Sequence, residues 1–152
     1  MSVYDRLVAK LTAANAEYAV SHHAPVFTSE EAAAVRGVAL SSGAKALVVK
    51  AGERFAMLVL PADRKLDSKK ARSVLGVKSI RFATKEEVLE ITTLQPGSIP
   101  PFGSLFGLPT YVDPALGVNS SINFNAGDHA ISIQTRHEEY LRVEQPTSAE
   151  VT

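Results

Sequence analysis

The sequence predicts an α+β fold: a mixed, partly closed β-sheet or barrel flanked by short helices. Three observations lead there. Short capped or amphipathic helical segments alternate with short β-branched runs along the chain. Two of those runs, 44–50 and 54–60, are separated only by Ala51, Gly52 and Glu53, which reads as a hairpin of well-buried strands. Hairpins stand where repeated βαβ units would otherwise build a parallel sheet, and no internal repeat is present. A chain of 152 residues, 45% of them hydrophobic, supplies one core and not two. The expected organisation is a single domain over 1–145 with a frayed, flexible tail over 146–152.

Each element has its own local reason. Ser2 precedes a helix in which Val3, Leu7, Val8, Leu11 and Ala14 recur at three- and four-residue steps, giving one apolar face. A short strand over 18–21 follows. Thr28, Ser29, Glu30 and Glu31 have the capping-box spacing that opens a second helix, which ends near Gly37. Ser41, Ser42 and Gly43 form a loop into the hairpin. Asp67 caps a helix through Leu75 with Gly76 behind it, 79–82 reads as a short strand, and Thr84 with Glu87 opens another capped helix through Leu89. The stretch 95–109 turns to Pro, Gly, Ser and Phe, too irregular for a helix and too apolar for disorder, so it reads as an ordered surface loop. Strands over 110–112, 121–124 and 130–134 and a short helix over 136–140 complete the chain.

Composition excludes several chemistries. The absence of cysteine removes disulfides, thiol nucleophiles and cysteine-rich zinc sites. Of four histidines, His22 and His23 are adjacent and His129 and His137 are eight apart, so no pair has a helical zinc-binding spacing and no metal or cofactor is expected. No G-x-S-x-G, P-loop or dinucleotide fingerprint occurs. No apolar run approaches the roughly 20 residues of a membrane span, and the N-terminus lacks a signal pattern, so a cytoplasmic protein is expected. Net charge is zero, which offers little non-specific attraction to long nucleic acid.

Three places could carry chemistry. Lys45 puts a charge where loop becomes core strand: either it snorkels to solvent, or it is a pocket lysine that binds a phosphate or polarises an ester carbonyl. The run Pro96-Gly97-Ser98-Ile99-Pro100-Pro101-Phe102-Gly103 is either a rigid connector or a loop that aims bare N–H groups inward. Asn125-Ala126-Gly127-Asp128-His129 is either a plain hairpin turn or one in which Asp128 and His129 form an acid/base pair. His22 and His23 read as surface residues at a strand end.

Taken in order, these segments resemble the YbaK/prolyl-tRNA synthetase-associated (ProX-like) aminoacyl-tRNA deacylase family. The resemblance spans roughly 24–143. It is carried by His23-Ala24-Pro25-Val26-Phe27-Thr28-Ser29, by Lys45 within Gly43-Ala44-Lys45-Ala46-Leu47, by the 97–103 loop, by Tyr111-Val112-Asp113 and by Phe124-Asn125-Ala126-Gly127. Each motif is weak alone, and five in the family's order are hard to obtain by chance.

The resemblance implies hydrolysis of the ester between an amino acid and the terminal adenosine of tRNA, with no metal and no covalent intermediate. Under it, Lys45 is the essential basic group that holds the substrate's 3′ end. Thr28, Asp113, the 97–103 loop and the Asn125, Ala126 and Gly127 turn bind the substrate, with His129 as a candidate acid or base. The implied partners are the aminoacyl-tRNA 3′ end and prolyl-tRNA synthetase, and the near-zero charge fits an enzyme that receives its tRNA from the synthetase. The implied substrate is tRNA(Pro) carrying a small non-cognate residue: alanine, cysteine, serine or threonine. A non-catalytic module binding a tRNA end or a synthetase is the alternative.

Overall fold

The computed structural model describes residues 1–152. Helix α1 (Val3–Ala13) starts at a complete capping box between Ser2 and Asp5 and buries Val3, Leu7 and Leu11. Strand β1 (Tyr18–His22) leads to α2 (Ser29–Arg36), which has a second capping box between Thr28 and Glu31 and stops at Gly37 in the left-handed region (φ +68°). Strands β2 (Ala44–Ala51) and β3 (Arg54–Pro61) form the predicted hairpin. Asp67 caps α3 (Ser68–Leu75), β4 (Ile80–Phe82) follows, and Thr84 caps α4 (Lys85–Thr92). The remaining elements are β5 (Thr110–Val112), β6 (Ser121–Asn125), β7 (Ile131–Arg136), α5 (His137–Glu144) and β8 (Thr147–Ser148).

The strands form two sheets. One runs β4-β2-β3-β5-β8, antiparallel on the β4 side of β3 and parallel from β3 to β8. The other is antiparallel, β1-β7-β6. A single parallel bridge from Gly43 to Asn123 joins them, so the sheet is mixed but does not close into a barrel. Gly43 is needed there because a Cβ would lie 3.0 Å from the Ala62 Cβ.

From Phe55 onward strand β3 is continuously apolar because both its faces are covered. Met57 and Val59 point into the larger core, with Leu7, Leu11, Phe102, Phe124 and Tyr140, while Ala56, Leu58 and Leu60 point into a smaller one with Val49 and Ala71. Phe102 sits edge-on to Phe124 and Tyr140 at centroid distances of 5.6 and 5.2 Å. The Tyr140 hydroxyl donates to the Pro101 carbonyl at 2.8 Å, and burial holds its pKa well above the ordinary tyrosine value.

The C-terminal segment is not the frayed tail expected for 146–152. Strand β8 pairs with β5, Ala149 and Val151 are buried in the smaller core, and the Val151 carbonyl accepts from the Asp67 amide at 2.7 Å. The anchor is Asp113, whose Oδ2 accepts from the amides of Val151 and Thr152 at 2.9 and 3.0 Å and from the Thr152 hydroxyl at 2.9 Å. Two alternating apolar residues are too few to show a period, and their partner lies 38 positions away.

Candidate active site

A cavity of about 230 Å³ opens between α2, the start of β2 and the end of β6. Helix α2 lines it with Ser29, Ala32, Ala33 and Arg36, the i, i+3, i+4, i+7 positions of one helical face. The two alanines, with only a methyl group each, fill little of the space. Opposite lie Gly43, the first four residues of β2 (44–47), Gly97, Ile99 and Asn123 to Asn125 of β6. Neither an aspartate nor a glutamate stands on its wall.

Lys45 is on that wall, half-buried, with Nζ donating to the Arg64 carbonyl at 3.2 Å. Burial lowers the pKa of its amine, Glu30 acts in the opposite direction and Lys65 adds to the lowering. Thr28 is also at the cavity, though its hydroxyl is engaged by the Glu31 amide at 3.1 Å as the cap of α2.

The 97–103 loop divides into two parts. Gly97 (φ +93°) and Ile99 face the cavity, and their amides donate to no acceptor in the protein. Ser98 between them is buried, its amide and hydroxyl bound to the Gln95 carbonyl at 3.2 and 2.9 Å. Pro100, Pro101, Phe102 and Gly103 do not reach the cavity: they pass into the core, and the Gly103 amide donates to the Thr110 hydroxyl at 3.0 Å. The loop is therefore partly a core element, a role its prolines and glycines conceal because those residues mark irregular backbone, not burial.

The 125–129 turn divides likewise. Asn125 lines the cavity, and its Nδ2 donates to the Gly97 carbonyl at 2.6 Å. Ala126 is buried, and the Gly127 amide donates to the Ser98 carbonyl at 2.9 Å, tying the turn to the loop. His129 is not on the cavity wall. Its Nδ1 donates to the Val26 carbonyl at 3.1 Å, its Nε2 is buried without a partner, and its ring packs 4.7 Å from Phe27 and beneath Gly97. In this position its ring supports the loop at Gly97. Asp128 uses its carboxylate on the Ala130 amide at 2.7 Å, as a turn residue does, and forms no pair with His129. Asp113 is also away from the cavity, with its carboxylate given to the C-terminal segment and to the Ala115 amide at 2.8 Å.

Arg36 and Asn123 complete the wall and were not marked by sequence reasoning. Arg36 Nε donates to Ser132 Oγ at 2.8 Å and Nη2 to Asn125 Oδ1 at 2.9 Å. Desolvation lowers its pKa to about 10. The signal was present, since Arg36 falls on the same face as Ser29, Ala32 and Ala33, but a basic residue in a last helical turn also reads as a partner of the helix dipole. His23, expected on the surface, is half-buried: its Nδ1 donates to the Ala24 carbonyl at 2.8 Å and its Nε2 accepts from Ser132 at 2.7 Å.

Comparisons with known proteins place the chain in a family. The model of the aminoacyl-tRNA editing domain matches residues 23–143. The chain is 34% identical over 148 residues to the multifunctional Ser/Thr-tRNA deacylase ProXp-y of Escherichia coli (strain K12), covering 94% of this chain and 89% of that protein. It is 31% identical over 110 residues to the proline–tRNA ligase of Bacillus subtilis (strain 168), covering 70% of this chain and 20% of the ligase. A crystal structure of a candidate trans-editing enzyme for prolyl tRNA synthetase superposes with a TM-score of 0.87 at 24% identity, over 100% of this chain and 98% of that one, and shares the fold. No helix is long and apolar enough to cross a membrane. With five motifs in order, an alanine-lined cavity beside a buried-edge lysine and a family model spanning most of its length, this chain belongs to the aminoacyl-tRNA editing domain family.

Proposed function

We propose that the protein is a trans-editing hydrolase that deacylates tRNA(Pro) mischarged with a small non-cognate amino acid: alanine, cysteine, serine or threonine. The observation that carries this reading is the pairing, in one small cavity, of a desolvated lysine with two unsatisfied amides, those of Gly97 and Ile99. Ala32, Ala33, Ala44 and Ala46 on the cavity wall offer a small amino-acid side chain an apolar seat.

In this reading Lys45 holds the substrate's 3′ end as a point charge. The Gly97 and Ile99 amides donate to the ester carbonyl oxygen as it becomes an oxyanion, the contribution that dominates acyl transfer. Water attacks the carbonyl carbon, the bond to the ribose oxygen breaks, and the proton lost by water ends on that ribose oxygen. No side chain on the wall is placed as general base, so the proton passes through the substrate's own hydroxyl or side chain. The similarity to ProXp-y favours serine and threonine within the small set.

The test is release of labelled amino acid from tRNA(Pro) charged separately with alanine, cysteine, serine and threonine, for the wild type and Lys45→Ala. Fast release that the substitution abolishes supports the deacylase. No release from any of them, with tRNA or synthetase still bound, makes the protein a binding module.

A further inference from the structure

We propose that the free end of Arg36, with the cavity behind it, binds the phosphodiester that joins the terminal adenosine of the charged tRNA to the preceding nucleotide. This rests on the deacylase reading and adds a contact to it. A second cavity, about 240 Å³, lies between α2, β1 and β7, and Arg36 stands on its wall as well as on that of the first. It therefore borders both the alanine-lined cavity and the second one.

An arginine has five N–H donors, in a planar fork. Arg36 uses two of them, Nε on Ser132 and one Nη2 proton on Asn125, and both acceptors are neutral. Those two bonds occupy one edge of the guanidinium. The other edge, formed by Nη1 and the remaining Nη2 proton, has no protein acceptor and has the geometry that takes two oxygens of a phosphate at once.

The charge balance points the same way. Buried or half-buried arginines are ordinarily paired with carboxylates, since an uncompensated charge out of water is costly. None of the protein's four ion pairs includes Arg36, and neither cavity has an aspartate or glutamate on its wall. Arg36 is the sole lysine or arginine of the second cavity, beside His22, His23 and Gln134. The anion is thus missing from the protein and supplied by the ligand. Ser132, held by His23 on its other side, keeps the guanidinium plane fixed before substrate arrives.

The experiment compares two small esters that differ only in the phosphate: serine on the 3′ hydroxyl of adenosine, and serine on the 3′ hydroxyl of adenosine 5′-monophosphate. The wild type is expected to prefer the phosphorylated ester by roughly tenfold in kcat/KM, the effect of one charge-assisted contact. Arg36→Gln should bring that preference to about one, and Arg36→Lys, which keeps the charge and loses the fork, should keep part of it. Inhibition by adenosine 5′-monophosphate relative to adenosine should fall in parallel in Arg36→Gln, a binding readout independent of turnover. Equal rates on the two esters in the wild type, or a preference that survives in Arg36→Gln, overturns the proposal while leaving the deacylase intact. If Arg36 merely holds Asn125 in place, Arg36→Gln lowers both esters equally and the preference is unchanged. A wild type inert on both esters and on charged tRNA overturns the deacylase reading and this one with it.

Discussion

Arg36 and Asn125 are joined by a 2.9 Å hydrogen bond from Nη2 to Oδ1, and Asn125 in turn donates to the Gly97 carbonyl at 2.6 Å. One side chain thus connects a helix face to the loop whose amides are free. Asn125→Ala removes both bonds at once. Its deacylation kcat should fall by about tenfold or more, since small displacements of oxyanion donors are costly. Steady-state kinetics on mischarged tRNA, with an unfolding midpoint near that of the wild type, checks it.

Lys45 has a lowered pKa, chiefly from burial. The deacylation rate should therefore fall on the alkaline side at a pH below the ordinary lysine range, as the amine loses its proton. The stability consequence has the opposite sense to that of a paired lysine. Below the lowered pKa the folded state bears the full cost of the desolvated charge, and stability rises as pH climbs from that pKa to the ordinary one, because only the unfolded chain still holds the proton there. Lys45→Met should accordingly raise the thermal midpoint at neutral pH while abolishing deacylation, a result that calorimetry and an activity assay read together.

Asp113 is expected to matter for stability and not for substrate. Asp113→Ala leaves the amides of Ala115, Val151 and Thr152 without their acceptor and should cost about 2 kcal/mol. Denaturant unfolding measures this, and KM at a temperature where the variant is folded should match the wild type. Burial by itself would raise the carboxyl's pKa, but its hydrogen bonds outweigh that and hold it below the ordinary value. The stabilisation is thus present above the ordinary aspartate range and lost as pH falls through the lowered pKa, so limited proteolysis should release the C-terminal segment in acid.

Ala33 decides how large a side chain the cavity admits. Ala33→Leu should lower kcat/KM for threonine by about tenfold relative to alanine, as crowding by a few methylenes does. Competition between the two charged tRNAs reads the ratio directly. An unchanged ratio would mean that the amino acid sits elsewhere.

Features that depend on neighbours along the chain are legible from the amino-acid order. The cap at Ser2, the capping boxes at Thr28 and Thr84, the helix ends at Gly37 and Gly76 and the hairpin of the 44–50 and 54–60 runs each rest on a few consecutive residues, and the structure has each of them, with the hairpin strands one residue longer. Lys45, Gly97 and Asn125 were legible as site candidates because the motifs around them are contiguous. Tertiary structure decided everything that needs a distant partner. Arg36 meets Asn125 across 89 positions and Ser132 across 96, so nothing near Arg36 marks it as more than a helix end. The burial of Phe102 and Gly103, the withdrawal of His129 behind Gly97 and the docking of Val151 onto Asp113 are of the same kind. A residue's type and spacing state what it can bond, and only the packed chain states which of those bonds water has already been displaced to make.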